Sequence, residues 1–262
     1  MNLEPQKRVA IAAAFKGGSV LRSHYGKISS IGKKGAIELV TEADIESEKI
    51  IIETIKKSFP DHAVLAEESG LNQGKIDHMW IIDPLDGTTN FAHKLGLFSI
   101  SIAYAVGREI VLGIVLSPLT AELFTAMKGK GADLNGRPMK VSNTKTVSES
   151  LLVTGFPYNF KDMINPVVTR FSSCLQASQG LRRLGSAAID LCYVACGRFD
   201  GFWEQNLKPW DTAAGELIAR EAGAIVTDFS NRTFTINKTE ILATNGNIHQ
   251  EMLGLLKLKD AV

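Results

Sequence analysis

The stretch Trp80-Ile81-Ile82-Asp83-Pro84-Leu85-Asp86-Gly87-Thr88-Thr89-Asn90-Phe91 limits what this chain can fold into more than any other. A bulky apolar run of this kind reads as a short buried strand, and within one residue it gives way to two acids, a proline, a glycine and two threonines. Pro84 fixes its own φ and pushes Asp83 out of the helical region, so the chain turns while both carboxylates are still near the strand tip. Gly87 lets the backbone approach a ligand, with the Gly87 and Thr88 N–H groups facing an anion. Carboxylates attract hard divalent cations and bare amides attract phosphate oxygens, so the stretch describes a place where a metal bridges protein and phosphate. Asp-Pro and Asp-Gly are also ordinary turn dipeptides, and alone the stretch allows that reading too.

A second acidic strand end tips the balance. Ala63-Val64-Leu65-Ala66-Glu67-Glu68-Ser69-Gly70 is again a short apolar run closing on carboxylates. Two adjacent strands delivering Glu67, Asp83 and Asp86 to one edge concentrate negative charge that calls for cations. Two further acids stand where helices begin. Asp44 follows Thr41 at the capping-box spacing, and Asp211 opens Trp210-Asp211-Thr212-Ala213-Ala214-Gly215. Each serves as a helix start signal whether or not it also acts at a site.

The rest of the chain supplies a scaffold. A helix is expected over residues 4–24, with Gly17-Gly18 a weak point inside it, and a basic, mobile flap over residues 27–35. A strand at Ile37-Glu38-Leu39-Val40 runs into a helix with Ile45, Ile51, Ile52, Ile55 and Phe59 inward. Alternating runs over residues 97–104 and 110–116, and the hairpin dipeptide Asn135-Gly136, make the first half strand-rich and largely antiparallel. Gly129-x-Gly131 reads as a turn rather than a phosphate loop. Beyond a break at Arg137-Pro138, strands near 151–154, 199–204 and 224–228 alternate with helices near 166–177, 186–196 and from Asp211 to Gly223, an α/β layer pattern. Residues 1–140 therefore form an α+β half with the main acids, and residues 141–262 an α/β half contributing Asp211 and substrate contacts.

With 262 residues, 45% hydrophobic and 22% charged, the chain can bury a large core. A net charge of +1 gives no field suited to nucleic acid or an anionic membrane. No apolar run approaches the roughly 20 residues that span a bilayer, and the N-terminus has no signal-peptide pattern, so a cytoplasmic location is expected. Cys174, Cys192 and Cys196 read as reduced thiols in apolar surroundings, and the five histidines as surface or satisfied residues.

The motifs at Glu67-Glu68-Ser69, 83–91 and 210–215, with Gly185-Ser186-Ala187-Ala188, resemble the inositol monophosphatase family, its bacterial members in particular. The resemblance implies an α/β (α+β) layered αβαβα sandwich, as in fructose-1,6-bisphosphatase. It also implies a lithium-sensitive, Mg²⁺-dependent phosphoric monoester hydrolase in a homodimer. Glu67, Asp83 and the Leu85 carbonyl would hold one Mg²⁺, and Asp83, Asp86 and Asp211 another, with about two or three ions per subunit and Mn²⁺ as a substitute. Asp44 and Thr88, with Glu67, would direct the attacking water, and Gly87 and Thr88 would take the phosphate. Asp86, Ala187, Glu204 and Lys33 would line the substrate.

Inositol 1-phosphate is the expected substrate, with fructose 1,6-bisphosphate and histidinol phosphate as alternatives, since Gly155-Phe156-Pro157-Tyr158 departs from the vertebrate pattern. Arg182-Arg183 is set down first to structure, ahead of a second phosphate. Two rivals remain: Asp83 as a covalent nucleophile, disfavoured by its Asp-x-x-Asp spacing, and a regulatory role in contact with the transcription machinery.

Overall fold

The computed structural model describes residues 1–27, 31–33, 39–72, 74–157 and 159–258. The expected flap thus lies largely outside the described residues, as do the Lys33 side chain, Ile37, Glu38 and Tyr158.

Helix α1 (Glu4–His24) starts with Pro5 in its first turn, where a missing N–H costs nothing. Gly17 is a contact rather than a weak point. A Cβ there would stand 2.8 Å from Ile51 and 2.9 Å from Ile100, so its absence lets α1 lie close against the next helix and the main sheet. Strand β1 (Ile31–Lys33) pairs with β2 (Leu39–Thr41), and Thr41 then caps α2 (Glu42–Ser58). The capping box forms as the spacing predicts. Thr41 Oγ1 accepts from Ala43 N (3.2 Å) and Asp44 Oδ2 accepts from Thr41 N (2.8 Å). Ile51 and Ile55 face inward, but Ile45 does not; it is 57% exposed, because it sits on the flank of α2 that no element covers.

The main sheet is built from β3 (His62–Ala66), β4 (Gly70–Asn72) and β5 (Lys75–Asp86), then, after the short helix α3 (Thr88–Ala92), β6 (Ser99–Val106), β7 (Glu109–Ser117), β8 (Glu122–Met127), β9 (Ala132–Leu134) and β10 (Arg137–Pro138). Its order is β10-β9-β8-β7-β6-β5-β3-β4, antiparallel except that β3 and β5 run side by side in parallel. The Asn135-Gly136 turn joins β9 to β10 with φ of +52° and +75°, the left-handed pair a two-residue hairpin requires.

The second sheet comes from β11 (Leu151–Thr154), β12 (Gly180–Arg182), β13 (Gly201–Gln205), β14 (Ile225–Thr227) and β15 (Glu240–Thr244), in the order β12-β11-β13-β15-β14. Between its strands run α4 (Ile164–Ala177), α5 (Ala187–Ala195) and α6 (Pro209–Glu221), with α7 (His249–Leu256) last.

Alternate residues of the strands sort these elements into five layers. Trp80, Ile82, Ile102 and Ile114 point one way and pack beneath α1 and α2. Ile81, Ala103 and Val115 point the other way, onto α5 and α6, which in turn cover Val153, Phe202 and Ala243 of the second sheet. Leu152, Trp203 and Leu242 face outward to α4 and α7. The order is therefore helices, sheet, helices, sheet, helices. The small residues of the Trp210 motif set the spacing of the middle layer. A Cβ on Gly113 would meet Ala214 O at 2.7 Å, and one on Gly215 would meet Leu191 at 2.9 Å.

The Gly129-x-Gly131 turn is occupied from within. The Glu221 carboxylate, at the end of α6, accepts from the N–H groups of Gly129 (2.7 Å), Lys130 (3.1 Å) and Gly131 (2.8 Å). Cys174 and Cys192 are buried free thiols and Cys196 is half-buried. His249 lies between the hydroxyls of Thr227 (3.1 Å) and Thr244 (2.9 Å), and His78 Nδ1 lies 2.6 Å from the Tyr104 hydroxyl. No described helix is long and apolar enough to cross a membrane.

Candidate active site

The parallel pairing of β3 with β5 puts Ala66 opposite Ile82, and Glu67 N continues the ladder to Ile82 O at 3.1 Å. Both apolar runs therefore end at the same level, and the acids emerge together. Pro84 has no N–H to give β6, so the β5–β6 register breaks between Asp83 and Asp86 and throws Asp86 toward the second half of the chain. There its Oδ2 accepts from Ser186 Oγ (2.6 Å) and Ala188 N (2.8 Å), capping α5. Asp83, 2% exposed, turns Oδ1 back to Leu85 N at 2.9 Å.

Gly87 has φ +100°, and a Cβ on it would press the backbone of Leu97 (3.0 Å) and Gly185 (3.2 Å). Only glycine suits that corner. Thr88 then opens α3, whose first N–H groups have no partner within the helix. Its Oγ1 lies 3.0 Å from Asp44 Oδ1 and 3.1 Å from Leu85 O. Asn90 Nδ2 donates to the carbonyls of Leu97 and Leu184, both at 2.7 Å, and fastens this corner to the loop before α5.

One face of α2 steadies both strand ends. Asp44 holds Thr88, Ser47 Oγ donates to Pro84 O (3.0 Å), and Glu48 Oε2 accepts from Glu68 N (2.8 Å). These are positions i, i+3 and i+4 of a helix, which share a side. Asp44 is fully buried and reaches the cavity through Thr88 rather than directly. Asp211 arrives from the far side at the start of α6, where its Oδ2 accepts from Lys208 N (2.7 Å), while Ser101 Oγ of β6 holds Trp210 O at 3.1 Å.

These elements enclose a cavity of about 440 Å³ with Glu67, Asp83, Asp86 and Asp211 on its wall beside Gly87 and Thr88. Ala187 and Glu204 line it as well. Arg183 also lines it, so of the two readings of Arg182-Arg183 the one set second, reach into the site, has a side chain in place. Its guanidinium lies 5.9 Å from the centre of the Phe156 ring, facing the acids. The sequence gives no sign of the roles of Ser186, Asn90, Ser47 and Glu48, because a short polar residue or a lone helical acid carries no spacing signal of its own.

The acids crowd one another. Burial, and then Glu67, Asp86 and Asp211, push the Asp83 carboxyl well up, and a hydrogen bond that only protonated Asp83 can donate to the Glu67 carboxyl adds to the rise. Two carboxyls share a hydrogen bond only when one of them holds a proton, and a cation bound between them would take the place of that proton. Burial raises Asp86 to about 6 against the pull of Ser186 and Ala188, and it also raises Asp211 and Asp44. Glu204 rises to about 8, through burial opposed by Arg183. Among the described residues no three His, Cys, Asp or Glu side chains already stand as a metal cluster, and Asp83, Asp86 and Asp211 are each turned to a nearby donor. The donor set is all oxygen and suits a hard divalent cation such as Mg²⁺.

The fold is shared with several solved structures. The extragenic suppressor protein suhB of Bartonella henselae superposes with a TM-score of 0.93 at 38% identity, over 97% of this chain and 99% of that one. The inositol monophosphatase of Anabaena (Nostoc) gives 0.88 at 40% identity, over 98% and 96%. The inositol-1-monophosphatase of Synechocystis is 46% identical over 96% of this chain and 88% of its own length, and the Nus factor SuhB of Haemophilus influenzae is 42% identical over 97% of each. The profile of the inositol monophosphatase family matches residues 2–258, and the chain belongs to that family.

Proposed function

We propose that the protein hydrolyses the phosphate monoester of a polyol or sugar, inositol 1-phosphate first, with Mg²⁺ held at the acid-lined cavity. The convergence of Glu67, Asp83, Asp86 and Asp211 on one cavity carries this reading. Glu67, Asp83 and the Leu85 carbonyl would take one ion, and Asp83, Asp86 and Asp211 another. Bound Mg²⁺ would neutralise phosphate oxygens and make water nucleophilic at neutral pH.

The chain's own residues do the rest. The Gly87 and Thr88 N–H groups receive phosphate oxygens, and Thr88, held by Asp44, orients the attacking water and passes its proton inward. Ala187, Glu204 and Lys33 receive the alcohol. Residues 1–140 thus supply most of the charge, and residues 141–262 supply Asp211 and the alcohol contacts.

The test is a panel of inositol 1-phosphate, fructose 1,6-bisphosphate, histidinol phosphate and adenosine 3′,5′-bisphosphate, with Mg²⁺ and with EDTA. Polyol or sugar monophosphates should rank first, and millimolar Li⁺ should inhibit. A preference for the nucleotide, or full activity in EDTA, would overturn the reading.

Two observations support partners. Relatives named Nus factor SuhB favour a second, regulatory role, which would be primary if Asp83→Asn stopped turnover yet left the cellular phenotype intact. On α4, Ile164, Val168 and Leu175 are 44%, 52% and 49% exposed at i, i+4 and i+11, an apolar stripe that suits a second copy of this chain. Val168→Glu should then yield monomers in sedimentation.

A further inference from the structure

Asp190 lies one turn past Ser186 in α5, 1% exposed, on the wall of the cavity that Asp86 and Glu204 also line. Its Oδ1 is buried and receives no hydrogen bond, one of only two such side-chain oxygens among the described residues. Folded proteins satisfy nearly all buried polar atoms, so an orphan on a cavity wall points to a partner from outside the chain. The charges around it say what that partner is like. Glu204 and Asp86 repel the Asp190 carboxyl and Arg183 attracts it. Arg183 in turn is held by the Phe156 ring and by Gly185, where any Cβ would collide with its guanidinium. Glu204 is fixed in the same manner, its carboxyl packed on the bare Cα of Gly155.

The alcohol end of the cavity therefore offers two buried carboxyls as acceptors and one guanidinium as a donor fork, with Lys208 the other cation on the wall among the described residues. A hydroxyl can donate to the first and accept from the second, and neighbouring hydroxyls can do both at once. A second phosphate would instead face two carboxyls. We propose that Asp190 is a specificity-determining residue: its carboxyl receives a hydroxyl of the leaving alcohol adjacent to the one Glu204 receives, so the cavity selects polyhydroxylated alcohols. This rests on the phosphatase reading above.

The experiment compares the parent with Asp190→Leu and Asp190→Asn on inositol 1-phosphate and on 4-nitrophenyl phosphate, whose leaving group has no hydroxyl to donate to Asp190. Asp190→Leu should lose about tenfold or more in kcat/KM on the polyol ester, mostly through KM, the scale of one buried hydrogen bond. On the nitrophenyl ester it should stay within about twofold of the parent, because phosphate and metal contacts are untouched. Asp190→Asn keeps an acceptor oxygen and should fall between.

Two further readouts separate this from a structural role. Calorimetric Mg²⁺ affinity should be unchanged, and Asp190→Leu should melt at or above the parent temperature, since an unpartnered buried carboxyl gives way to an apolar group of similar shape. Equal losses on both esters, a loss on neither, or a lower melting temperature would each overturn the proposal. A parent that turns over neither ester with Mg²⁺ sinks the phosphatase reading itself, and the assignment of Asp190 with it.

Discussion

Stripped of divalent cations, this protein should lose stability as pH rises. Asp86 goes from an ordinary 3.8 to about 6 and Glu204 from 4.5 to about 8, both chiefly through burial. A carboxyl raised by folding is neutral in both states below its unfolded pKa and costs nothing there. Between the two values only the unfolded chain ionises, so stability drains away as pH rises, and above the folded value the cost is complete. From pH 5 to 8 this window takes in the upper part of the Asp86 shift and nearly all of the Glu204 shift. At about 1.4 kcal/mol per unit, the two together are worth on the order of 5 kcal/mol, Glu204 supplying most of it. For a chain of this size that lowers Tm by on the order of 10 °C. Differential scanning calorimetry in EDTA at pH 5, 6.5 and 8 measures it. Mg²⁺ should raise Tm more at pH 8 than at pH 5, because ions balance the charge of Asp83, Asp86 and Asp211, and Glu204→Gln should make the EDTA slope shallower. A Tm in EDTA that climbs between pH 5 and 8, or a Glu204→Gln protein with the parent's slope, would refute the reasoning.

Other residues give sharper single readouts. Glu48→Ala removes the acceptor for Glu68 N and should weaken Mg²⁺ binding about tenfold by calorimetry, as loss of an outer support for metal ligands does, while Glu48→Gln, which can still accept, stays close to the parent. Gly155→Ala drives a methyl into the Glu204 carboxyl and should raise KM for a polyol phosphate with little change on 4-nitrophenyl phosphate; equal effects on both would show that Glu204 does not face the alcohol. Glu221→Ala frees three backbone N–H groups of the β8–β9 turn and should cost about 1–2 kcal/mol, a Tm drop of roughly 3–6 °C at unchanged kcat. An unaltered Tm would mean that water satisfies that turn equally well.

How much of this could be read in the sequence depended on the kind of signal each part carries. The strand tips were legible because two short apolar runs both ended in acids, and the five-layer order came with the family resemblance, since the periods alone gave a strand-rich first half and an α/β second half. The supports were not. Ser186 and Asn90 bond to partners about a hundred residues away, Asp86 and Leu184, which no local pattern can announce. Gly17-Gly18 reads as a weak helix on propensity alone, yet what decides its role is the neighbouring Ile51 and Ile100. Ile45 follows the apolar period of α2 but falls on a flank with nothing packed against it. Arg183 looked structural because an arginine pair in a loop has no fixed meaning until Phe156 and Glu204 are placed beside it.

The same bonds explain why the acids sit at a joint. Asp86 belongs to the first sheet, yet its Oδ2 caps a helix of the middle layer, and Asn90 ties the adjoining corner to the strand end of the second sheet. From the other side Asp211 stands on α6, whose Ala214 touches Gly113 in the first sheet. A change in the spacing between the two sheets would therefore move Asp86 and Asp211 relative to Glu67 and Asp83. Divalent cations bound across these acids would resist such a change, so metal affinity and the packing of the middle layer should rise and fall together. Gly113→Ala, which wedges β7 away from α6 at Ala214, one turn past Asp211, is the variant in which that coupling appears: Mg²⁺ affinity should fall with Tm, and a fall in Tm alone would break the link.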